Sequence, residues 1–403
     1  MKINGKIVCI VLDGVGVGAA PDAALYHDEA ANTLSNTAAV TGGLHLPNLS
    51  ALGLGNIVEI KGVPKNSSAT GNFGKMREVS KGKDSTTGHW EFSGIILEKD
   101  FPYYPNGFPT EVIEKFCSLT GCGGILGNKA ASGTVILEEL AAEHERTGFP
   151  IIYTSADSVF QIAVNDRVIP LERLYELCTI ARNQVMVGKH AVGRVIARPF
   201  TGSNGNYQRT TDRRDFSLFP PGTTMLDILF ERAIPTVAVG KIDDLFAGKS
   251  LSEKIHTKSN DEGIEETIAW ANKTPNGFIF TNLVDFDALF GHRQDPKGMK
   301  EALEYFDLQL PRIISTLSGD DLLIITADHG NDPTDNSTDH SREYVPLIVY
   351  SPDGKRNVDL GIRQTFADLG KTVVSYFGFE GKELKGTSFL TQVVMMTGNN
   401  TEE

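Results

Sequence analysis

The chain has 403 residues, 40% of them hydrophobic and 22% charged, which is more than one ordinary domain needs and enough apolar volume for a packed core. Its net charge of −13 argues against nucleic acid or an acidic membrane surface as the main partner. No apolar run reaches the roughly 18 residues that a membrane span requires.

The opening residues Met1-Lys2-Ile3-Asn4-Gly5-Lys6 lead straight into an apolar run, 7–12, without the pattern of a signal peptide. A cytoplasmic setting is therefore expected, with Cys9, Cys117, Cys122 and Cys178 reduced and Cys9 buried. The run stops at Asp13. Further along, Asp84-Ser85-Thr86-Thr87-Gly88 sets three consecutive hydroxyls between an aspartate and a glycine. Such a run suits a helix N-cap with a capping pattern, which is the structural reading of the segment. The functional reading is a hydroxyl nucleophile at a helix N-terminus, activated by metal, with backbone N–H groups ready for phosphate oxygens.

Proline clusters, Phe101-Pro102-Tyr103-Tyr104-Pro105 and Phe219-Pro220-Pro221-Gly222, flank a middle region of different texture. They predict a smaller α/β domain, 101–220, inserted into a core made of 1–100 and 221–403. Within the insert a strand-like run at 150–154 precedes Ser155-Ala156-Asp157, and a helical pattern covers 171–181. The core resumes with helical patterns at 224–232, 263–271, 299–317 and 365–377. Between them lie apolar runs at 236–239 (followed by Gly240-Lys241), 277–284 and 322–326. Continuous β-branched runs alternating with helices predict a mostly parallel sheet covered on both faces. Ligands of such sheets bind beyond the carboxyl ends of the strands. Asp13, Asp287, Asp328 and His329 all fall there. The polar tail, 397–403, reads as a frayed end.

The last two runs carry the strongest chemical signal. Asp287 follows one strand, with His292 five positions on; Asp328-His329 follows the other, with His340 eleven beyond. With Asp13 they offer three carboxylates and three imidazoles. Six ligands are too many for one ion with an open position and suit two divalent ions with three each. Two such ions (+4) against three carboxylates (−3) leave a site of about +1, able to take a phosphate despite the acidic exterior. Taken singly, an Asp-His-Gly triplet is common at turns. Asp285 reads as a structural carboxylate, and His27, His45, His144, His190 and His256 read as surface residues.

Asp13-Gly14-Val15-Gly16, the 83–91 segment, 127–134, 153–159, 192–200, 282–292, 326–331 and Asp339-His340 together resemble the phosphopentomutases of the alkaline phosphatase superfamily, over essentially the whole chain. The resemblance implies an alkaline-phosphatase-like three-layer core with an inserted α/β cap. It implies two manganese ions, one held by Asp13, Asp328 and His329, the other by Asp287, His292 and His340. It also implies a phosphorylated, metal-bound residue at Ser85. The family has threonine at this position, so Ser85 is a departure and Thr86 an alternative. Ser155, Asp157, Val159, Arg194, Ile196, Arg209 and Lys241 become the expected contacts to a small sugar phosphate, while Arg198, Arg213 and Arg214 read as solvated surface charges. The implied reaction interconverts ribose 1-phosphate and ribose 5-phosphate, and the 2-deoxyribose equivalents, through a phosphoenzyme and a 1,5-bisphosphate, with glucose 1,6-bisphosphate as activator. Rival readings are a cofactor-independent phosphoglycerate mutase, a metal-dependent phosphatase, and a metal-binding module without catalysis. A monomer or weak homo-oligomer is expected.

Overall fold

Asp157 and the 397–403 tail lie outside the residues described by the computed structural model, which are 5–155, 158–203 and 205–395. In chain order the strands are β1 Lys6–Leu12, β2 Asn72–Met76, β3 Leu126–Ala130, β4 Ile151–Thr154, β5 Val159–Asn165, β6 Arg194–Ser203, β7 Asn206–Arg209, β8 Arg214–Ser217, β9 Thr236–Val239, β10 Glu253–Ile255, β11 Gly277–Leu283, β12 Leu322–Thr326, β13 Val345–Tyr350 and β14 Asp359–Arg363. The chain divides into two units: Met1–Lys99 with Pro220–Glu403, and Asp100–Phe219. Each boundary falls one residue ahead of the limit read from the proline clusters.

The larger unit is built on an eight-stranded sheet in the order β10-β9-β11-β1-β12-β13-β2-β14. The five strands from β10 to β12 are parallel, and β13 runs antiparallel to both β12 and β2. Every residue of β1, β11 and β12 is buried, as their uninterrupted apolar sequences require, so both faces of this stretch are covered. Register places the chemistry. Leu12 lies opposite Leu283 on one side, and Val11 opposite Thr326 on the other. Three strands thus stop level with one another, and the residues after them, Asp13, Asp285–Asp287 and Asp328-His329, emerge along one edge.

The smaller unit carries a sheet in the order β3-β4-β5-β6-β7, with β8 also pairing with β6. One face packs Tyr153 and Phe200 against Ile136 and Ala141 of the helix Gly133–Thr147. The other packs Phe160 and Val195 against Phe116 of Thr110–Thr120 and Leu174 of Leu171–Ile180.

The predicted helices appear with shifted ends, and capping explains the shifts. The 299–317 pattern is the helix Pro296–Ile314, started by an Asp295 cap and a proline in the first turn. The 263–271 pattern is Asn260–Lys273, capped by Ser259. Thr224 and Asp227 form a capping box at the head of Met225–Glu231. His144 corrects its surface reading. It is buried, with Nδ1 hydrogen-bonded to the Phe149 carbonyl at 2.7 Å and Nε2 accepting from the Asn165 N–H at 2.9 Å. Both ring nitrogens are satisfied, so burial is cheap. Cys9 is buried as expected. No helix among the described residues is long and apolar enough to cross a membrane.

Candidate metal centre

Three strand ends and one returning loop build the site. Asp13 follows β1 and Asp328-His329 follows β12. The wide helical turn Phe286–Gly291 carries Asp287. A bridge between Gly330 and Ser341 folds the 330–341 loop back and delivers His340. Ligand atoms of Asp13, Asp328 and His329 lie within 4.8 Å of one another, and so do those of Asp287, His329 and His340. His292 Nε2 stands 3.2 Å from Asp287 Oδ2, and its ring centroid 4.7 Å from that of His340. His329 thus belongs to both groups, and the six residues form one continuous cluster rather than two separate triads.

Each carboxylate is held by one oxygen and presents the other. Asn282 Nδ2 donates to Asp13 Oδ2 at 3.0 Å, the Gly14 N–H to Asp328 Oδ1 at 3.2 Å, and Asn331 Nδ2 to Asp287 Oδ1 at 2.7 Å. The fully buried Asp13 Oδ1 and Asp328 Oδ2 take no well-aligned hydrogen bond, although the ring nitrogens His329 Nε2 and His89 Nδ1 stand 3.3 and 3.2 Å away. The imidazoles show the same division. His292 Nδ1 is bonded to the Thr338 carbonyl at 2.6 Å and His329 Nδ1 to the Gly330 carbonyl at 3.1 Å, so both rings turn Nε2 inward. His329 Nε2 then faces Asp13 Oδ1 at 3.3 Å and Asp328 Oδ2 at 3.5 Å. Inward ring nitrogens set against buried carboxylate oxygens call for positive charge between them, a proton or a metal cation.

The electrostatics agree. Burial would lower the His292 ring, but the Asp287 hydrogen bond and charge raise it to about 9. His329 is likewise lowered by burial yet raised well above its usual value, chiefly by the Asp328 charge. Burial pushes Asp287 up, and the charge of His340 with the His292 hydrogen bond brings it well below the carboxylate range. The cluster draws positive charge inward, and its oxygen and nitrogen donors fit divalent ions of the manganese or zinc type.

Beside it stands the hydroxyl segment. Asp84 caps the helix Ser85–Phe92, accepting from the N–H groups of Thr86 and Thr87, and its other oxygen takes the Thr87 hydroxyl at 2.6 Å. Ser85 Oγ lies 3.3 Å from His329 Nε2 and accepts from Lys241 Nζ at 2.9 Å. Gly88 lets this helix approach β12. A Cβ there would sit 2.2 Å from the Asp328 carbonyl oxygen. Gly88→Ala is expected to push Ser85 off the cluster and to lower turnover by about 10²-fold, the cost of roughly 1 Å of misplacement. Steady-state kinetics on the folded variant, below its lowered melting temperature, would check it.

The residues expected to touch sugar lie in the smaller unit, except Lys241. Val159 pairs with Arg194 across β5 and β6, and Ile196 follows two positions on. Ser155 continues β4 toward the same end. Arg194 Nη1 reaches Asp215 Oδ2 at 3.4 Å. Arg209 pairs with Phe200, six positions along β6 from Arg194, but its guanidinium hydrogen-bonds the Tyr153 hydroxyl. Arg198 is half-buried and donates to Gln161 at 3.0 Å, so it is not the solvated charge expected; Arg213 and Arg214 are exposed. Asp285 is structural, accepting from the Asn260 N–H at 2.7 Å. Sequence reasoning passed over Asn282 and Asn331, which hold two of the carboxylates. It also missed Lys83, which spans Asp28 at 3.1 Å and Asp339 at 3.3 Å and so ties the Ser85 segment to the His340 loop.

A buried cluster of carboxylates and imidazoles at the carboxyl edge of an α/β sheet, with a hydroxyl beside it, defines a metal-dependent enzyme. The sequence model of the Metalloenzyme superfamily matches residues 5–381, and the chain belongs to that superfamily. It is 58% identical over 388 residues to the phosphopentomutase of Dictyoglomus thermophilum, an alignment spanning 96% of this chain and 98% of the relative. The phosphopentomutases of Carboxydothermus hydrogenoformans and Thermotoga petrophila are 57% and 55% identical, over 93% and 95% of this chain and 96% and 98% of theirs. Within the superfamily, the chain is a member of the phosphopentomutase family.

Proposed function

We propose that Ser85 and a pair of divalent cations carry the phosphopentomutase reaction of this chain, interconverting ribose 1-phosphate and ribose 5-phosphate and their 2-deoxy equivalents. The observation that carries the mechanism is Ser85 Oγ at a helix N-terminus, 2.9 Å from Lys241 Nζ and 3.3 Å from His329 Nε2. In this reading Asp13, Asp328 and His329 hold one ion and Asp287, His292 and His340 the other, manganese in both cases. Bound there, the ions supply Lewis-acid stabilisation of the attacking and leaving oxygens and lower the pKa of the Ser85 hydroxyl.

The chain's own groups do the rest. Ser85 begins the cycle as a phosphoserine, primed by glucose 1,6-bisphosphate. The 5-hydroxyl oxygen of ribose 1-phosphate attacks that phosphorus. A new P–O bond forms, the Ser85 Oγ–P bond breaks, and Oγ gains the proton that the 5-hydroxyl loses. The 1,5-bisphosphate turns round. Ser85 Oγ then attacks the 1-phosphorus, the bond from phosphorus to the 1-oxygen breaks, and the proton returns to that oxygen. The products are ribose 5-phosphate and a phosphorylated Ser85. Backbone N–H groups at the start of the 85–92 helix and Lys241 Nζ receive phosphate oxygens. Ser155, Val159, Arg194, Ile196 and Arg209 of the inserted unit, with Asp157, are proposed to hold the sugar and its distal phosphate. The inserted unit is proposed as the cap that keeps water from the phosphoserine, because hydrolysis would turn the mutase into a phosphatase.

Intact-protein mass spectrometry after incubation with manganese and glucose 1,6-bisphosphate tests the mechanism. One added phosphate is expected, absent from Ser85→Ala. A coupled assay is expected to turn over ribose 1-phosphate and not 3-phosphoglycerate. A chain that never takes up phosphate, or that prefers the glycerate, defeats the reading.

A further inference from the structure

His89 lies one helical turn beyond Ser85 and is fully buried. It is not a member of either ligand group, yet its ring touches both halves of the site. Nδ1 is 2.8 Å from the Ser85 carbonyl oxygen, and Asp328 Oδ2 stands 3.2 Å from the same nitrogen. A carbonyl and a carboxylate only accept, so Nδ1 carries the proton. Nε2 lies 3.5 Å from Asn282 Nδ2. An amide nitrogen only donates, so Nε2 is the acceptor, and the same Nδ2 group reaches Asp13 Oδ2 at 3.0 Å. Phe92 and Phe280 also pack on the ring, with centroids 5.7 and 5.6 Å away, and neither side chain offers a competing hydrogen bond.

The contacts form a buried line: Asp13, Asn282, His89, then the Ser85 main chain with Asp328 beside it. We infer that His89 is a positioning residue, whose Nδ1–H fixes the main chain of the nucleophile against the Asp328 carboxylate while Asn282 sets its tautomer. This rests on the roles given above to Ser85 and Asp328. The Nδ1–H leans on the Ser85 carbonyl, so it neighbours Asp328 Oδ2 without occupying it, and that oxygen stays open to a cation. A flip of the ring would put a C–H in place of Nδ1–H and lose the Ser85 contact, and the other tautomer would turn a lone pair toward both the carbonyl and the carboxylate. The inference therefore concerns one nitrogen, and the two ring positions can be tested separately.

Asparagine at position 89 presents an N–H near the place of Nδ1, whereas glutamine presents its polar end near Nε2. Three variants, His89→Asn, His89→Gln and His89→Phe, are compared with the parent by two readouts that need no turnover. These are manganese affinity by calorimetry and the rate of phosphate uptake from glucose 1,6-bisphosphate by intact mass. His89→Asn is expected to stay near the parent. His89→Gln and His89→Phe are expected to lose about 10–100-fold in one or both, the usual cost of removing a partner that orients a metal ligand. Should His89→Phe fail to fold, the contrast between His89→Asn and His89→Gln carries the test by itself. Equal behaviour of the asparagine and glutamine variants, or a phenylalanine variant with parental affinity and uptake, overturns it. A parent that takes no phosphate on Ser85 overturns the Ser85 reading itself, and this inference with it.

Discussion

Replacing Ser85 by alanine is expected to lower turnover of ribose 1-phosphate by about 10⁴- to 10⁶-fold, the scale seen when the nucleophile of a covalent-intermediate enzyme is deleted. The change removes one oxygen and little else. The helix that carries Ser85 is started by Asp84, whose carboxylate bonds to the N–H groups of Thr86 and Thr87 and to the Thr87 hydroxyl, and none of these involves the Ser85 side chain. Helix and cluster should therefore stand, with manganese content unchanged. Ser85→Thr keeps a hydroxyl on the same Cβ and is expected to retain activity. Thr86→Ala is the necessary companion, because sequence alone left Thr86 as an alternative nucleophile. Its turnover is expected to match the parent, since Ser85 is the hydroxyl hydrogen-bonded to both His329 and Lys241. A large loss in Thr86→Ala with an active Ser85→Ala would move the phosphate one residue along and undo the assignment.

Which parts of this site could be read from sequence follows from how it is built. Asp13 and Asp328 were legible because fully buried parallel strands write uninterrupted apolar runs, and the first charge after such a run marks the strand end. That the two ends lie side by side is register information, carried by the pairing of β1 with β12, which no local pattern holds. His340 was visible as a residue type, but its approach depends on the Gly330–Ser341 bridge closing a loop. Asn282 was invisible for the opposite reason. It sits inside the buried β11, where an amide looks like a stray polar residue until Asp13 is found 3.0 Å away. The sharing of His329 between both ligand groups was likewise hidden, since spacing counts ligands without placing them. His144 was misread because a histidine in a polar stretch gives no sign that its two nitrogens will meet the Phe149 carbonyl and the Asn165 N–H.

Arg342, two residues past His340, stands in an equally unremarkable polar stretch, and Arg342→Met is expected to destabilise the larger unit by about 3–5 kcal/mol, the cost of breaking a buried ion pair from one side. The guanidinium is 1% exposed. Nη1 donates to Glu78 Oε2 at 2.5 Å and to the Gly82 carbonyl at 2.7 Å; Nη2 donates to the Glu78 carbonyl at 2.9 Å and to Asp22 Oδ2 at 3.0 Å. Methionine fills much of the volume but satisfies none of these acceptors, and it leaves the Glu78 carboxylate buried without its cation. Burial already pushes Glu78 well above the usual carboxylate range, with Arg342 pulling the other way. In the variant the carboxyl moves higher still. A carboxyl whose folded pKa is raised contributes stability that is complete below its unfolded pKa and is lost as pH rises through the folded value. The destabilisation should therefore be larger at neutral pH than at the acid end of the carboxylate range. Glu78→Gln added to Arg342→Met removes the carboxyl that must take up a proton to stay buried and is expected to restore part of the loss at neutral pH, a coupling that the double-mutant cycle measures. Both tryptophans, Trp90 and Trp270, belong to the larger unit, so urea unfolding followed by their fluorescence reports this unit alone. Because Arg342 also bonds to the carbonyls of Glu78 and Gly82, which lead into Asp84 and Ser85, turnover should fall in the variant even where it remains folded. A destabilisation that ignored pH and the Glu78 substitution would show that the arginine acts through packing rather than charge.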